Sequence, residues 1–315
     1  MGRKFESYRR SQREKRTLEV KIERLLEVLL LSREQKKENM IILWRVANIE
    51  IIEETLMENE KIKRINIFDF DGTLTTETWP KFWVWVKKFG YNGIQRNDEL
   101  EKALTEYRKL HSANELETFF AFFNDLLVNN NETLTHQELM EGEQFIQYNP
   151  GVIEFIKNTA TKNYIVSGGL REFLQNLEVA KYFDGIYGTE IKHNGTGLIS
   201  GIGEVMTDDK KILAIQDILR KNCRTRNNCH NVNYIGDGYS DATAMRFVHN
   251  NGGMAIFVHQ PTENDKFYHY NNRIYQTLNT EGIVDFCCIA DYTEGSMLSN
   301  ILQGKTKKEL YEYGR

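Results

Sequence analysis

From residue 64 onward, short apolar runs alternate with longer stretches whose apolar positions recur every three or four residues. "RINIFDF" (64–70), "KNYIVSGG" (162–169), "GIYGTE" (185–190), "NVNYIGDG" (231–238), "GMAIFVH" (253–259) and "IVDFCCIA" (283–290) read as strands. Between them, "PGVIEFIKNTA", "LREFLQNLEVAKYF", "DKKILAIQDILRKN" and "YSDATAMRFVHN" carry helical spacing. Strands that alternate with helices predict an α/β fold with a doubly wound, parallel, Rossmann-like sheet. Such sheets bind ligands beyond the carboxyl ends of their strands. Three of the strands end in residues able to do chemistry: Asp69 and Asp71, Ser167, and Asp237.

Residues 80–148 break the alternation. They hold four helical patterns, "KFWVWVKKFG", "DELEKALTEYRKL", "ELETFFAFFNDLLV" and "THQELMEGEQFIQY", and no convincing strand. The Asn129–Asn131 run reads as a loop, and Pro150-Gly151 restarts the alternation at a helix start. This interval is expected to be a small helical cap, with a core formed by 61–79 and 149–315. Trp79, Trp83, Trp85, Phe119, Phe120, Phe122 and Phe123 read as the cap's own packing residues.

Residues 1–60 form a third region. Leu18, Ile22, Leu25 and Leu29 make one narrow apolar stripe, and Ile42, Val46, Ile49 and Leu56 make another. The expectation is an N-terminal helical extension. It either packs on the body of the protein or serves as an arm for homodimerisation, and the pattern leaves both open.

Composition narrows the partners. The net charge is −4, from 41 basic and 45 acidic residues interspersed, which does not suit a nucleic-acid binder. "LLEVLLL" (25–31) is too short to span a membrane and contains Glu27. Four cysteines in 315 residues make no disulfide framework, and neither Cys223/Cys229 nor Cys287/Cys288 has zinc spacing. A soluble, cytoplasmic protein with reduced thiols is expected, without a membrane or nucleic-acid partner. His193, His230 and His249 read as surface or satisfied residues, and "CRTRNNC" as a polar loop.

Asp69 and Asp71 pose the chemical question. Two carboxylates one residue apart repel each other, and burying them unpaired is costly. Alternation keeps residues i and i+2 on one side of a strand, so both sit at one mouth. Gly72 then lets the chain turn sharply.

In their order and spacing, "DFDGTLT", "IVSGG", a lysine of "DDKK" and "GDGYSD" resemble the four motifs of the haloacid dehalogenase superfamily. The similarity spans roughly residues 64–260. It is nearest to the phosphoserine-phosphatase-like branch, which carries a helical cap just after its first motif. The resemblance implies a phosphatase of small phosphomonoesters that depends on Mg²⁺. Asp69 would be the nucleophile that forms an aspartyl-phosphate, and Asp71 the general acid and base. Asp69, the backbone carbonyl of Asp71 and Asp237 would hold Mg²⁺, with Asp241 either a ligand or a partner of one. Ser167 and the N–H of Gly168 would grip the phosphoryl oxygens.

A lysine near Asp69 would neutralise charge. Lys210 is preferred, because Leu213 and Ile218 would continue a core stripe from it; Lys211 stays open. Glu77 is the candidate to hold a substrate amine. A phosphotransferase or phosphomutase of the same superfamily keeps both aspartates. A regulatory or scaffolding protein acting through its helical extension is the alternative of a different class.

Overall fold

A computed structural model describes residues 64–76, 98–111, 115–261 and 273–304. The extension 1–60, Glu77 and the three tryptophans Trp79, Trp83 and Trp85 lie outside these residues.

Six strands form one sheet: β1 (Ile65–Phe68), β2 (Lys162–Leu170), β3 (Gly185–Thr189), β6 (Val232–Gly236), β7 (Met254–His259) and β8 (Phe286–Ile289). Their order is β3-β2-β1-β6-β7-β8, and every neighbouring pair is parallel. This is the doubly wound α/β sheet that the alternation predicts. Successive strands run outward on one side of β1, then the chain crosses to β6 on its other side. That reversal places the carboxyl ends of β2, β1 and β6 around one crevice.

The strands are apolar on both faces, as a covered parallel sheet requires. Residues alternate between two cores. Ile65 and Ile67 join Val166, Val232, Tyr234 and Phe257 on one face, while Phe68 joins Ile165, Ile235 and Ile256 on the other. The first face is covered by α6 (Asp208–Lys221), through Ile215, Ile218 and Leu219, and by α7 (Ala242–Asn250), through Ala244, Met245 and Val248.

Among the described residues, the interval between β1 and β2 is helical: α1 (Asp98–Leu110), α2 (Glu115–Asn129), α3 (His136–Met140) and a 3₁₀ turn, Glu141–Phe145. Thr135 starts α3 with a capping box. It accepts from the Glu138 N–H at 3.1 Å, and its own N–H donates to the Glu138 carboxylate at 2.7 Å. Phe119, Phe120, Phe122 and Phe123 are all buried, in keeping with packing residues. The chain returns to the core through α4 (Val152–Asn158), where Gly151 adopts φ 76° just ahead of the helix.

One element had no strand expectation. β4 (Ile191–His193) and β5 (Ile199–Ile202) form an antiparallel hairpin. Its turn is organised by the Asn194 side-chain oxygen, which accepts from the N–H groups of Thr196 and Leu198, both at 3.0 Å. Each strand is too short to show a period of two. The hairpin reaches the helical interval between β1 and β2, where Ile199 pairs with Leu134 and the Ile202 N–H donates to Asn124 Oδ1 at 3.1 Å. No helix among the described residues is long and apolar enough to cross a membrane.

Candidate active site

Asp69 follows the last residue of β1, and its N–H donates to the Ile235 carbonyl of β6 at 2.9 Å. That bond holds the chain against β6 at the carboxyl end of the sheet. Gly72 then turns with φ 74°. A Cβ at this position would stand 2.1 Å from Asp237 Oδ2, so glycine is needed for space as well as for conformation. The first loop and the end of β6 thus meet at van der Waals contact.

Asp69, Asp237 and Asp241 present oxygen atoms that all lie within 4.8 Å of one another. Lys211, wholly buried, donates to Asp69 Oδ1 at 3.0 Å and to Asp241 Oδ1 at 2.7 Å. Asp241 is also wholly buried. Its Oδ1 accepts from the Tyr234 hydroxyl at 2.7 Å, and its Oδ2 from the Gly238 N–H at 3.2 Å. Both oxygens of Asp241 are therefore engaged by protein donors. Asp71 is half-buried at the opening.

The electrostatics follow from this crowding. Burial pushes the Asp69 carboxyl up to about 7; Lys211 pulls against the rise, and Asp241 and Asp71 add to it. Burial, then Asp241, Asp69 and Asp71, hold Asp237 well above the usual carboxylate range. Burial disfavours the Lys211 charge, but Asp241 and Asp69 outweigh it and keep the ammonium protonated well above its ordinary value. The cluster is a nest of hard oxygen donors with excess negative charge, and it fits a small divalent cation.

Lys210 does not have the position expected of it. It pairs with Glu204 at 3.0 Å on the surface, and Lys211 is the lysine against Asp69. The reason is helix register. The inward face of α6 is Lys211, Ala214, Ile215, Ile218 and Leu219, whereas Leu213, which had been expected to continue the core stripe, is 56% exposed. Counting from Lys211, the spacing is +3, +4, +7 and +8, a complete helical face. Ala214, small and buried, marks that face, whereas the neighbouring Leu213 points away from it.

Ser167 is buried near the end of β2. Its Oγ accepts from the Gly169 N–H at 3.0 Å, which leaves the hydroxyl proton free to donate elsewhere. At Gly168 a Cβ would lie 2.8 Å from Leu116 Cδ2, so α2 rests on this end of β2. Thr189 Oγ1 donates to the Gly168 carbonyl at 2.7 Å and accepts from the Met206 N–H at 3.1 Å. Thr189 thereby ties the end of β2 to the segment that leads into α6.

Sequence reasoning missed Thr189 and Tyr234. It also missed Asn149, whose amide donates to the Thr73 and Thr75 carbonyls at 2.8 and 3.2 Å, and Gln260, which donates to the Gly72 carbonyl at 3.1 Å. Each acts through side-chain hydrogen bonds to a segment outside its own element, and no local spacing announces it.

A family model described as haloacid dehalogenase-like hydrolase matches residues 67–246. The chain belongs to this family. Its fold is shared by a haloacid dehalogenase family hydrolase from Salmonella enterica subsp. enterica serovar Typhi. That match has a TM-score of 0.51 at 16% identity, over 77% of this chain and 71% of that one. A probable phosphoserine phosphatase from Vibrio cholerae matches with a TM-score of 0.52 at 14% identity, over 80% and 66%. A substrate-bound phosphoserine phosphatase matches at 0.50 and 19%, over 78% and 99%. No curated protein matches the chain in sequence.

Proposed function

We propose that this hydrolase is a Mg²⁺-dependent phosphatase of a small phosphomonoester, working through an aspartyl-phosphate on Asp69. The observation that carries this reading is the environment of Asp69. Lys211 occupies Oδ1 at 3.0 Å, Asp237 and Asp241 lie beside it, and Ser167 stands on β2, the strand next to β1. Oδ2 is the oxygen left for attack.

Phosphate monoesters hydrolyse slowly because the dianion repels nucleophiles and the alkoxide leaves badly. In the first step an Asp69 oxygen bonds to phosphorus, the ester bond to the leaving oxygen breaks, and Asp71 gives that oxygen a proton. In the second, Asp71 takes a proton from water, which attacks phosphorus; phosphate leaves and Asp69 is restored. The Ser167 hydroxyl and the Gly168 N–H would hold the phosphoryl oxygens through both steps. Lys211 favours the ionised form of Asp69 and orients it, and Asp241 with Tyr234 keeps Lys211 in place.

Asp69, Asp237 and the Asp71 carbonyl would hold Mg²⁺, which when bound offsets the clustered negative charge and draws charge from the phosphoryl group. Asp241, saturated by Lys211, Tyr234 and Gly238, supports the site rather than ligating the ion. Glu77 and the cap are the place for substrate selection, and the cytoplasm the compartment.

The test is hydrolysis of p-nitrophenyl phosphate and of a panel of small phosphomonoesters, after metal removal and after adding Mg²⁺ back. Release of phosphate only with Mg²⁺, absent in Asp69→Asn, is the expected result. Full turnover in excess chelator would overturn the metal assignment.

A further inference from the structure

The opposite end of the sheet carries an unassigned cavity of mixed polar and apolar lining. It encloses about 330 Å³ at the amino ends of β6 and β7, lined by Arg64, Asn233, Gly252, Met254, Phe286 and Ile301 among others. That volume lies in the range of small-molecule sites. Asp69 lies beyond the other end of β1, so the cavity is separate from the crevice described above.

A chain of buried amides leads to it. Asn163, Asn66 and Asn233 stand side by side on β2, β1 and β6, in register. The Asn66 amide donates to Thr161 Oγ1 at 3.0 Å and to Asn163 Oδ1 at 3.1 Å. With both donors committed, Asn66 presents its oxygen to Asn233, whose amide donates to it at 2.8 Å. The direction of the chain leaves Asn233 Oδ1 as its open end. That atom is fully buried and has no hydrogen-bond partner. An acceptor in this position calls for a donor.

Arg64 supplies the complementary group. Its side chain is about half-buried and has no hydrogen-bond or ion-pair partner among the described residues. Burial alone acts on its charge, lowering its pKa, with no carboxylate to offset it. The guanidinium lies against Gly304, where a Cβ would be 2.5 Å from Nη2. A planar fork of donors partly removed from water is suited to an oxyanion held in bidentate fashion.

We propose that this cavity is a second ligand site, which binds a small oxyanion, carboxylate or phosphate, that also carries a hydroxyl or amino donor. Arg64 takes the anion and Asn233 Oδ1 takes the donor.

The experiment uses the full chain and ¹H–¹⁵N spectra, following the amides of Gly252 and Gly253 that line the cavity. The probes are malate, succinate and inorganic phosphate, each against sodium chloride at matched ionic strength. Malate, which has a hydroxyl, should shift these amides saturably and bind more tightly than succinate, which has none. Arg64→Gln should weaken malate at least tenfold while leaving phosphatase turnover unchanged. Arg64→Lys, which keeps the charge and loses the fork, should fall between.

Inorganic phosphate moving the same amides identifies phosphate as a source of the anion; carboxylates alone moving them identifies a carboxylic acid. Equal affinity for malate and succinate would remove Asn233 from the proposal. No saturable shift with any probe, or the same affinity in both Arg64 variants as in the parent, would overturn it.

Discussion

The Lys211 ammonium lies closer to Asp241, at 2.7 Å, than to Asp69, at 3.0 Å. Asp241 is thus the anchor of the cation, and Asp69 the group the cation serves. Removing the cation leaves two buried carboxylates facing each other. Lys211→Met should lower turnover on the order of a hundredfold or more and destabilise the fold by about 3–5 kcal/mol, the cost of an orphaned buried charge. Lys210→Ala should change stability by less than about 1 kcal/mol, because an exposed pair such as that with Glu204 contributes little. Steady-state kinetics and urea melts of the two variants side by side decide which lysine acts.

Metal-free protein should lose stability as pH rises. Asp69 titrates at about 7 in the fold against an ordinary 3.8, and Asp237 is also raised, so the folded state binds more protons than the unfolded chain between these values. Stability is then greatest below the unfolded pKa and falls through pH 4–7. Thermal melts in chelator should show a lower Tm at pH 8 than at pH 5. Mg²⁺ favours the ionised carboxylates and should raise Tm more at pH 8 than at pH 5. Asp69→Asn should flatten the chelator profile. A Tm in chelator that rises from pH 5 to pH 8 would refute the account.

Gly72→Ala tests the contact between the first loop and β6. The new Cβ would stand 2.1 Å from Asp237 Oδ2 at a backbone φ of 74°. The loop or Asp237 must move. Roughly 1–3 kcal/mol of strain is expected, with activity reduced more than tenfold and a higher Mg²⁺ concentration needed for half-maximal rate. A variant with unchanged Mg²⁺ dependence would show that Asp237 does not serve the ion.

The parts of the molecule legible in the sequence are those written in local pattern. β1 and β6 are wholly buried runs, β2 and β7 nearly so, and the outer strands β3 and β8 are partly buried, yet each carries an apolar stretch that stands out in the sequence. The four motifs were visible because β1, β2 and β6 each deliver a polar group at a strand end. What stayed hidden was decided by contacts between distant segments. Lys211 and Lys210 are adjacent and chemically alike, and only the side of α6 that meets the sheet tells them apart. The β4–β5 hairpin owes its place to Leu134 and Asn124, in the helical interval between β1 and β2. Thr189 and Tyr234 look like ordinary strand residues until the loops they tie together are seen.

Asp69 and Asp71 should be separable by the choice of leaving group. Asp71→Asn keeps the backbone carbonyl and nearly the same side-chain volume, and removes the proton donor and acceptor. A p-nitrophenolate leaves without protonation, so the first step on p-nitrophenyl phosphate should suffer little. An alkyl phosphate expels a strongly basic alkoxide and should slow by roughly a hundredfold to ten-thousandfold, as for a lost general acid. The second step also needs a base to activate water, so the aspartyl-phosphate should accumulate. Rapid mixing should record a burst of p-nitrophenol no larger than one equivalent of enzyme, followed by slow turnover, with labelled phosphate trapped on the protein. Asp69→Asn should give neither burst nor label, because the bond to phosphorus cannot form. Equal rate losses on both substrates, with no labelled enzyme, would assign Asp71 to binding or structure and leave proton transfer to another group.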